Sequence, residues 1–195
     1  MKRKISIFLV LLLLVNICAC GNDVPTNVNG NGRVYECDYK TLNLNTKITT
    51  IYNGENINIS GNIFRLLEDP LTVTNSKGNT LGYAGDAYGI IEQDDHGIYV
   101  DGKFEVNMCG NFQLIGDSYK IKDANGNVIA NAKFDTFNTS GEIVDVYGNL
   151  VATYDSFYFF NDYTVTIYDN NICSDLAILM IMASFVSDFQ ADSSD

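Results

Sequence analysis

The chain has a single histidine, His96, and it lies in an acidic stretch where acid–base chemistry is conceivable. Its neighbours Glu92, Asp94 and Asp95 carry carboxylates, and a carboxylate beside an imidazole is part of many hydrolase sites. Consecutive residues cannot adopt the geometry of a catalytic triad, however, and no GxSxG motif is present. We therefore predict that His96 belongs to a solvated loop before a strand over residues 97–108. The protein is predicted not to be an enzyme, with an extracytoplasmic hydrolase as a distant alternative.

A second candidate for chemistry is the segment containing Asp123, Asn125, Gly126 and Asn127, which resembles the start of a calcium-binding loop. An EF-hand loop needs glycine at its sixth position and a bidentate glutamate at its twelfth. Here the glycine is fourth and the twelfth residue is Phe134. One histidine and the spacing of the cysteines do not complete a zinc site either. The sequence therefore predicts a turn at this segment, and no metal or other cofactor.

Cysteine is the third residue type that could do chemistry. Cys37, Cys109 and Cys173 lie in the body of the chain, and their odd number permits at most one disulfide among them. One disulfide with one buried thiol is compatible with the sequence. Three thiols that pack as small apolar side chains are equally compatible. The two other cysteines, Cys18 and Cys20, belong to an N-terminal segment of a different kind.

That N-terminal segment has the parts of a bacterial secretion signal. Positions 2–4 are basic, and residues 5–17 form an apolar run that is short for a membrane-spanning helix. The run ends in the letters ICAC, which resemble the lipobox of bacterial lipoproteins. The resemblance implies cleavage between Ala19 and Cys20. It also implies that the thiol of Cys20 carries a diacylglycerol group.

Lipidation at Cys20 would make the protein a membrane-anchored one, because two or more acyl chains hold a protein stably on a bilayer. We expect residues 1–19 to be the signal peptide and residues 20–36 to be the lipidated cysteine and a flexible polar tether. The expected location is the extracytoplasmic face of the cell membrane. Two alternatives remain open: cleavage that releases an unlipidated protein, and retention of residues 5–17 as an uncleaved anchor.

The composition predicts an acidic, β-rich globular domain. Of the 195 residues, 46% are hydrophobic and 18% charged, which is enough apolar material for a core. Twelve tyrosines and eleven phenylalanines, with only two prolines, favour strands over a helical bundle. A net charge of −12 repels phosphate backbones, so nucleic acid is not an expected partner. The expected partner is the membrane, through the lipid on Cys20. An unidentified lipid or protein ligand is left open, and the domain is expected to be monomeric.

A repeated hairpin pattern predicts most of the sheet. Residues 71–84, 119–132 and 141–154 align without gaps, each with a β-branched residue, then Asn or Asp, then a Gly-Asn pair. This is the pattern of a strand, a tight turn and a returning strand, because the Asx side chain bonds the turn backbone and glycine supplies positive φ. Asp101-Gly102 is another turn signal. Further strands are predicted over residues 46–52, 56–66, 97–108, 155–160 and 162–169.

The last segment predicts one helix that is apolar on every face. Ser174 and Asp175 can cap its start, and residues 176–186 contain a single polar side chain. Eleven residues cover roughly 16 Å, about half of a bilayer core. We therefore expect the strands to wrap around this helix rather than a membrane to enclose it. The side chains predicted to be buried are Leu176, Ile178, Leu179, Met180, Ile181, Met182, Phe185 and Val186.

Hairpins of this type followed by a fully apolar terminal helix resemble the tubby C-terminal-like superfamily, nearest to its LURP-one-related branch and to phospholipid scramblases. The resemblance implies a mainly β fold, a closed antiparallel barrel of about twelve strands around a buried C-terminal helix. It covers the predicted domain, residues 37–190, which is followed by an acidic tail over residues 191–195.

The ligands known for the superfamily are not expected to bind this chain. Tubby domains bind phosphoinositide headgroups through basic side chains, but here only Lys120, Lys122 and Lys133 lie near one another, amid many carboxylates. We expect a membrane-anchored, non-enzymatic domain with a structural or binding role. A protein that binds a lipid or another hydrophobic ligand is the alternative.

Overall fold

The computed structural model describes residues 32–42, 45–62, 71–86, 95–111, 118–135, 139–156 and 162–192. The predicted signal peptide, its cleavage site at Ala19 and Cys20, and the tether up to residue 31 lie outside the described residues. Within the described ranges the chain forms twelve strands and one helix. The strands are β1 (Arg33–Leu42), β2 (Asn45–Tyr52), β3 (Glu55–Asn62), β4 (Leu71–Asn75), β5 (Thr80–Asp86), β6 (Asp95–Val100), β7 (Lys103–Asn111), β8 (Ser118–Lys122), β9 (Val128–Phe134), β10 (Ser140–Asp145), β11 (Leu150–Ser156) and β12 (Tyr163–Ile167), and the helix is α1 (Asp175–Asp192).

The twelve strands form one closed antiparallel barrel. Each strand pairs with the next along the chain, and β12 pairs back with β1, so that Arg33 lies opposite Ile167. Closure removes the unpaired edges that an open sheet would leave. Alternate residues of each strand point inward, as Ile57 and Ile59 of β3 do, and these two side chains are at most 1% exposed. The predicted fold class, a closed barrel of about twelve strands, is confirmed.

The three aligned hairpins have the turn chemistry that their sequences predict. Asn75, Asp123 and Asp145 each accept hydrogen bonds from the backbone N–H groups two and four residues later, at 2.8–3.0 Å. The following glycines adopt φ between +81° and +86°. A register shift in each hairpin accommodates the extra turn residue as a β-bulge. Asp123 is therefore a turn residue, as predicted.

Asp145 gives a matched test of this turn chemistry. Burial alone would raise the pKa of its carboxyl, but hydrogen bonds from Asn149, Tyr147 and Gly148 outweigh that effect and lower it. We expect Asp145→Ala to lower the free energy of unfolding by about 1–2 kcal/mol, since turn N–H groups lose their acceptor. Asp145→Asn should cost clearly less, because Asn75 makes the same backbone contacts in the β4–β5 turn, and only the bond that the side chain of Asn149 donates to the second carboxylate oxygen is lost. Urea denaturation of both variants measures the difference, and equal losses would contradict this role.

Two shorter hairpins close with two-residue turns in which both residues have positive φ. Asp101 and Gly102 have φ of 49° and 73°, and Asn53 and Gly54 have 51° and 77°. These angles suit the tight turns that match the twist of paired strands. The turn signal at Asp101-Gly102 is thus confirmed. It divides the predicted strand over residues 97–108 into β6 and β7.

Helix α1 lies inside the barrel. From Leu176 to Ala183 every side chain is at most 2% exposed, and Val186 is 9% exposed. The helix contacts β2 to β7 and β12. On β5, a β-carbon at Gly82 would lie 3.1 Å from the sulfur of Met180, so glycine permits this close approach. The side chains predicted to be buried in this helix are buried, apart from Phe185, whose side chain lies outside the described part of the structure.

No helix in the described ranges is both long enough and apolar enough to cross a membrane.

Some predicted boundaries differ from the structure. Strand β1 begins at Arg33, so residues 33–36 belong to the barrel and not to the tether that was predicted up to residue 36. Asp155 does not open a strand, because β11 continues to Ser156 through its pairing with β12. Strand β3 covers the described part of the strand predicted over residues 56–66, and residues 63–66 lie outside the described ranges.

Candidate functional site

The polar contacts that hold the start of α1 lie at one end of the barrel. The hairpin turns at residues 53–54, 76–79, 101–102, 124–127 and 146–149 lie at this end, where β1 also begins, β12 ends and α1 begins. We call it the turn end. The N-terminus of a buried helix is costly to enclose because its first N–H groups have no partner within the helix. The turn end must therefore supply partners for α1.

Glu105 supplies the first of these partners because of a bulge in β7. The register passes from Ile98 opposite Val106 to Tyr99 opposite Phe104, so Glu105 is left unpaired in the sheet. Its carboxylate accepts a hydrogen bond from the backbone N–H of Ser174 at 2.8 Å. The bulge thereby aims an acidic side chain at the positive end of the helix dipole.

Arg33 and Tyr35 of β1 bind the first residue of the helix. The guanidinium of Arg33 donates two hydrogen bonds to the carboxylate of Asp175, from Nε at 2.6 Å and from Nη2 at 2.8 Å. The hydroxyl of Tyr35 donates a third at 2.7 Å. The side chain of Asp175 is 10% exposed and that of Arg33 is 47% exposed. Arg33 and Asp175, which are 142 positions apart in the sequence, thus form a bidentate ion pair. We call Arg33, Tyr35, Glu105 and Asp175 the helix clasp.

The protonation states of the clasp follow from these contacts. Burial would raise the pKa of Asp175, but the hydrogen bonds from Arg33 and Tyr35 and the charge of Arg33 outweigh it and lower that pKa. Burial and the hydrogen bond to Asp175 raise the pKa of the Tyr35 hydroxyl far above its ordinary value. At neutral pH Asp175 is therefore charged and Tyr35 is a neutral donor. The contacts satisfy the carboxylate, which suits it to holding the helix rather than to moving protons.

The thiols are placed where reactivity is low. Cys37, Cys109 and Cys173 form no disulfide in the structure, which agrees with the alternative of three thiols. Burial, followed by the nearby charges of Glu105 and Asp175, raises the pKa of Cys173. Burial raises the pKa of Cys37 to about 11, although neighbouring hydroxyls act in the opposite direction. A nucleophilic cysteine needs a lowered pKa, because the thiolate is the reactive form.

A second group of polar side chains lies inside the barrel wall. Cys37 of β1 is opposite Tyr163 of β12, and the register of β1 with β2 places Thr50 on its other side. Tyr163 and Thr50 are at most 3% exposed. Beyond the neighbouring Cys37 thiol, a weak partner, neither hydroxyl has a hydrogen-bond partner among the described residues, nor does that of Ser184 on α1. Unsatisfied buried hydroxyls cost free energy, so the surroundings of Thr50 and Tyr163 are a candidate place for a bound molecule.

The prediction for His96 was wrong. His96 lies in β6 and is 5% exposed, not in a solvated loop. Strand β6 extends to His96 because this residue pairs with Asp86 of β5. Side chains alternate between the two faces of a strand, so the imidazole of His96 points inward like the side chain of Ile98 two residues later. Glu92 and Asp94 lie outside the described residues. In the part of the chain that the structure describes, no three His, Cys, Asp or Glu side chains are grouped closely enough to hold a metal ion.

The three lysines considered as an anion site are only partly brought together. Lys120 and Lys133 point to solvent from β8 and β9, while Lys122 is half-buried near the turn end. Lys133 lies opposite Glu142 of β10. A carboxylate next to one of three lysines weakens attraction for an anionic headgroup. The structure thus offers no concentrated cationic surface at these lysines.

No protein-family model matches the chain, and no curated protein matches it. Among solved structures, it is similar to the crystal structure of a protein from Arabidopsis thaliana, with a TM-score of 0.34 and 13% sequence identity. The match covers 88% of this chain and 96% of the Arabidopsis chain. A similarity at this level supports no conclusion about family or function.

Proposed function

We propose that the protein is an extracytoplasmic lipoprotein, anchored to the cell membrane through Cys20, whose barrel is a non-enzymatic structural or binding domain. The sequence up to Cys20 supports the anchor through its resemblance to a lipobox. The hairpins and terminal helix support a domain resembling the tubby C-terminal-like superfamily and its LURP-one-related branch. The ligand of the domain is not named by any of these features.

The observation that carries this proposal is the occupation of the barrel by its own helix. Barrels that carry small ligands do so in an interior cavity. Here Leu176 to Ala183 take up the axis, and the clasp fixes the start of α1 to β1 and β7. Binding by such a domain takes place on its outer surface. Arg33 and Asp175 already pair with each other, and the Cys37 and Cys173 thiols have raised pKa values, so these groups offer no ready catalyst.

The anchor is tested by metabolic labelling with an alkyne-tagged palmitate in a bacterial host. We expect the unmodified chain to incorporate label and to fractionate with membranes. Cys20→Ala should lose the label, because it removes the thiol that accepts the lipid. Cys18→Ala is the matched control, since it changes a cysteine two residues away and should keep both properties. Label retained in Cys20→Ala, or absent from the unmodified chain, would contradict the proposal.

A second function, binding of a lipid or another hydrophobic ligand inside the barrel, is favoured by one observation. Among the described residues, the buried hydroxyls of Thr50 and Tyr163 have only the weak Cys37 thiol as a partner, and a ligand with a polar group could satisfy them. The two functions differ in one observable, the mass of the protein under native conditions. A lipid retained non-covalently after detergent exchange favours the second function, and its absence favours the first.

A further inference from the structure

One hairpin tip at the turn end is apolar and exposed. Val146 and Tyr147, in the β10–β11 turn, are 51% and 88% exposed. The corresponding pairs in the two aligned hairpins are Ser76-Lys77 and Ala124-Asn125, which are polar or small. The turn itself does not require apolar residues there, since all three turns make the same Asx hydrogen bonds. Val128, which is 37% exposed, adds to the apolar surface at the start of the neighbouring β9.

The N-terminal segment enters the barrel beside this tip. Gly32 packs against Thr166 and Tyr168 so closely that an added β-carbon would clash with the Cγ2 of Thr166. This contact fixes the entry point on β12 at the turn end. Strand β12 is the neighbour of β11, whose hairpin with β10 carries Tyr147. With adjacent strands about 4.8 Å apart, the entry point and the tip are separated by roughly 10–15 Å.

The chain length between the anchor and the barrel limits how far the turn end can lie from a membrane. From Cys20 to Arg33 there are 13 residue steps (33 − 20), which span at most about 45 Å when fully extended. The tether therefore keeps the turn end within about 45 Å of the membrane, and an additional contact is needed to make it the end that faces the bilayer. The opposite end is separated from the turn end by the height of the barrel, about 20–25 Å for the ten residues of β1 at the usual strand tilt.

We propose that Val146 and Tyr147 insert into the interfacial region of the bilayer that holds the acyl chains of Cys20, and so fix the orientation of the barrel. This inference rests on the proposed lipid anchor. Tyrosine is favoured at membrane interfaces because its ring is apolar and its hydroxyl stays hydrated. The contact is hydrophobic rather than electrostatic, because Asp145 lies in the same turn and Asp123 in the β8–β9 turn, in a chain of net charge −12. The partner that fits this tip is therefore the zwitterionic lipid surface.

The absence of tryptophan from the chain makes the test direct. Tyr147→Trp places a single fluorophore on the tip, and the full lipidated protein is reconstituted into phosphatidylcholine vesicles with and without lipid brominated near the headgroup. We expect a blue-shifted emission and a several-fold greater quenching by brominated lipid than in the control. The control is Lys40→Trp, an exposed site on β1 that lies about 23 Å along the strand from Arg33 at the turn end.

Vesicle flotation of both variants separates the failure of this inference from the failure of the anchor. Floating protein whose fluorophore is quenched more in the tip variant than in the control supports the inserted tip. Floating protein with equal quenching in the two variants overturns the inserted tip and leaves the anchor in place, and the tip would then be open to a protein partner. Protein that does not float contradicts the proposed lipid anchor, and the proposed orientation, which depends on that anchor, is then rejected as well. In the Tyr147→Trp background, Val146→Ser should reduce the quenching, since it removes part of the inserted apolar surface.

Discussion

Replacing Ile178 or Met180 by aspartate is expected to unfold the protein under conditions in which the unmodified chain is folded. Both side chains are fully buried, and the barrel wall surrounds them. A carboxylate at either site would be charged without a partner, or would have to be protonated at a cost. We expect a loss of more than about 4 kcal/mol, a large part of the stability of an ordinary domain. Circular dichroism and thermal denaturation measure the loss.

Conservative changes at the same positions are the matched controls. Ile178→Val should lower the free energy of unfolding by about 0.5–1.5 kcal/mol, because it removes one methylene group from a packed site. Met180→Leu should cost a similar amount or less, since it conserves volume. If either aspartate variant kept the melting temperature of the unmodified protein, the helix would not be enclosed by the barrel.

Breaking the helix clasp is expected to have the second largest effect. Asp175→Asn keeps the shape of the side chain but leaves Arg33 without its counter-charge. We expect a loss of about 1.5–3 kcal/mol, the usual value for hydrogen bonds to charged groups. Tyr35→Phe is the matched control, because it removes one neutral donor and should cost about 1 kcal/mol. Equal stability of Asp175→Asn and the unmodified chain in urea would show that the clasp does not hold the helix.

The clasp also gives the stability a defined dependence on pH. The pKa of Asp175 is lower in the folded protein than its ordinary value of 3.8, so protonation favours the unfolded chain. The stabilisation is fully present above the unfolded-state pKa, and it is lost as the pH falls through the folded-state pKa. Unfolding free energies measured from about pH 6 downward should therefore decline below about pH 4. In Asp175→Asn that part of the decline should be absent.

The sequence predicts those parts of this fold that depend on local chemistry. Asn75, Asp123 and Asp145 specify their turns through contacts to residues two and four positions later. Both partners of each hydrogen bond therefore lie within one short segment of sequence, where the turn can be recognised. The terminal helix is predictable for a different reason. An apolar segment too short to cross a bilayer must be covered by protein, and strands are the other elements that the sequence predicts. The apolar helix and the predicted strands together indicate a sheet that encloses the helix, even when the pairing of the strands is not known.

Long-range pairing is what the sequence does not reveal. Arg33 and Asp175 are 142 positions apart, and neither belongs to a motif that identifies the other. Glu105 reaches the helix only because a bulge shifts the register between Ile98 and Tyr99, which depends on how β6 and β7 pair. His96 was misplaced for the same reason. Its acidic neighbours indicate a loop, but the pairing with Asp86 extends the strand and turns the ring inward.

The clasp and the anchor have a common consequence for how the domain is displayed. Arg33 is the first residue of β1 and also one of the clasp residues that bind the start of α1. A pulling force on the proposed tether would therefore reach the start of the enclosed helix through the contact between Arg33 and Asp175. The opposite end of the barrel, where His96 and Tyr163 lie, would point away from the membrane.

Hydrogen–deuterium exchange of the helix tests most directly the claim that the barrel is filled by its own C-terminal segment. If α1 is enclosed, the amides of residues 176–184 exchange only when the whole domain unfolds, with the free energy of global unfolding. They should be among the last in the protein to exchange, together with those of β6 and β12. Exchange of these amides at a free energy several kcal/mol below the global value, while the strands stay protected, would contradict the claim. The helix would then leave the barrel readily, and an interior ligand site would replace the closed core as the basis of function.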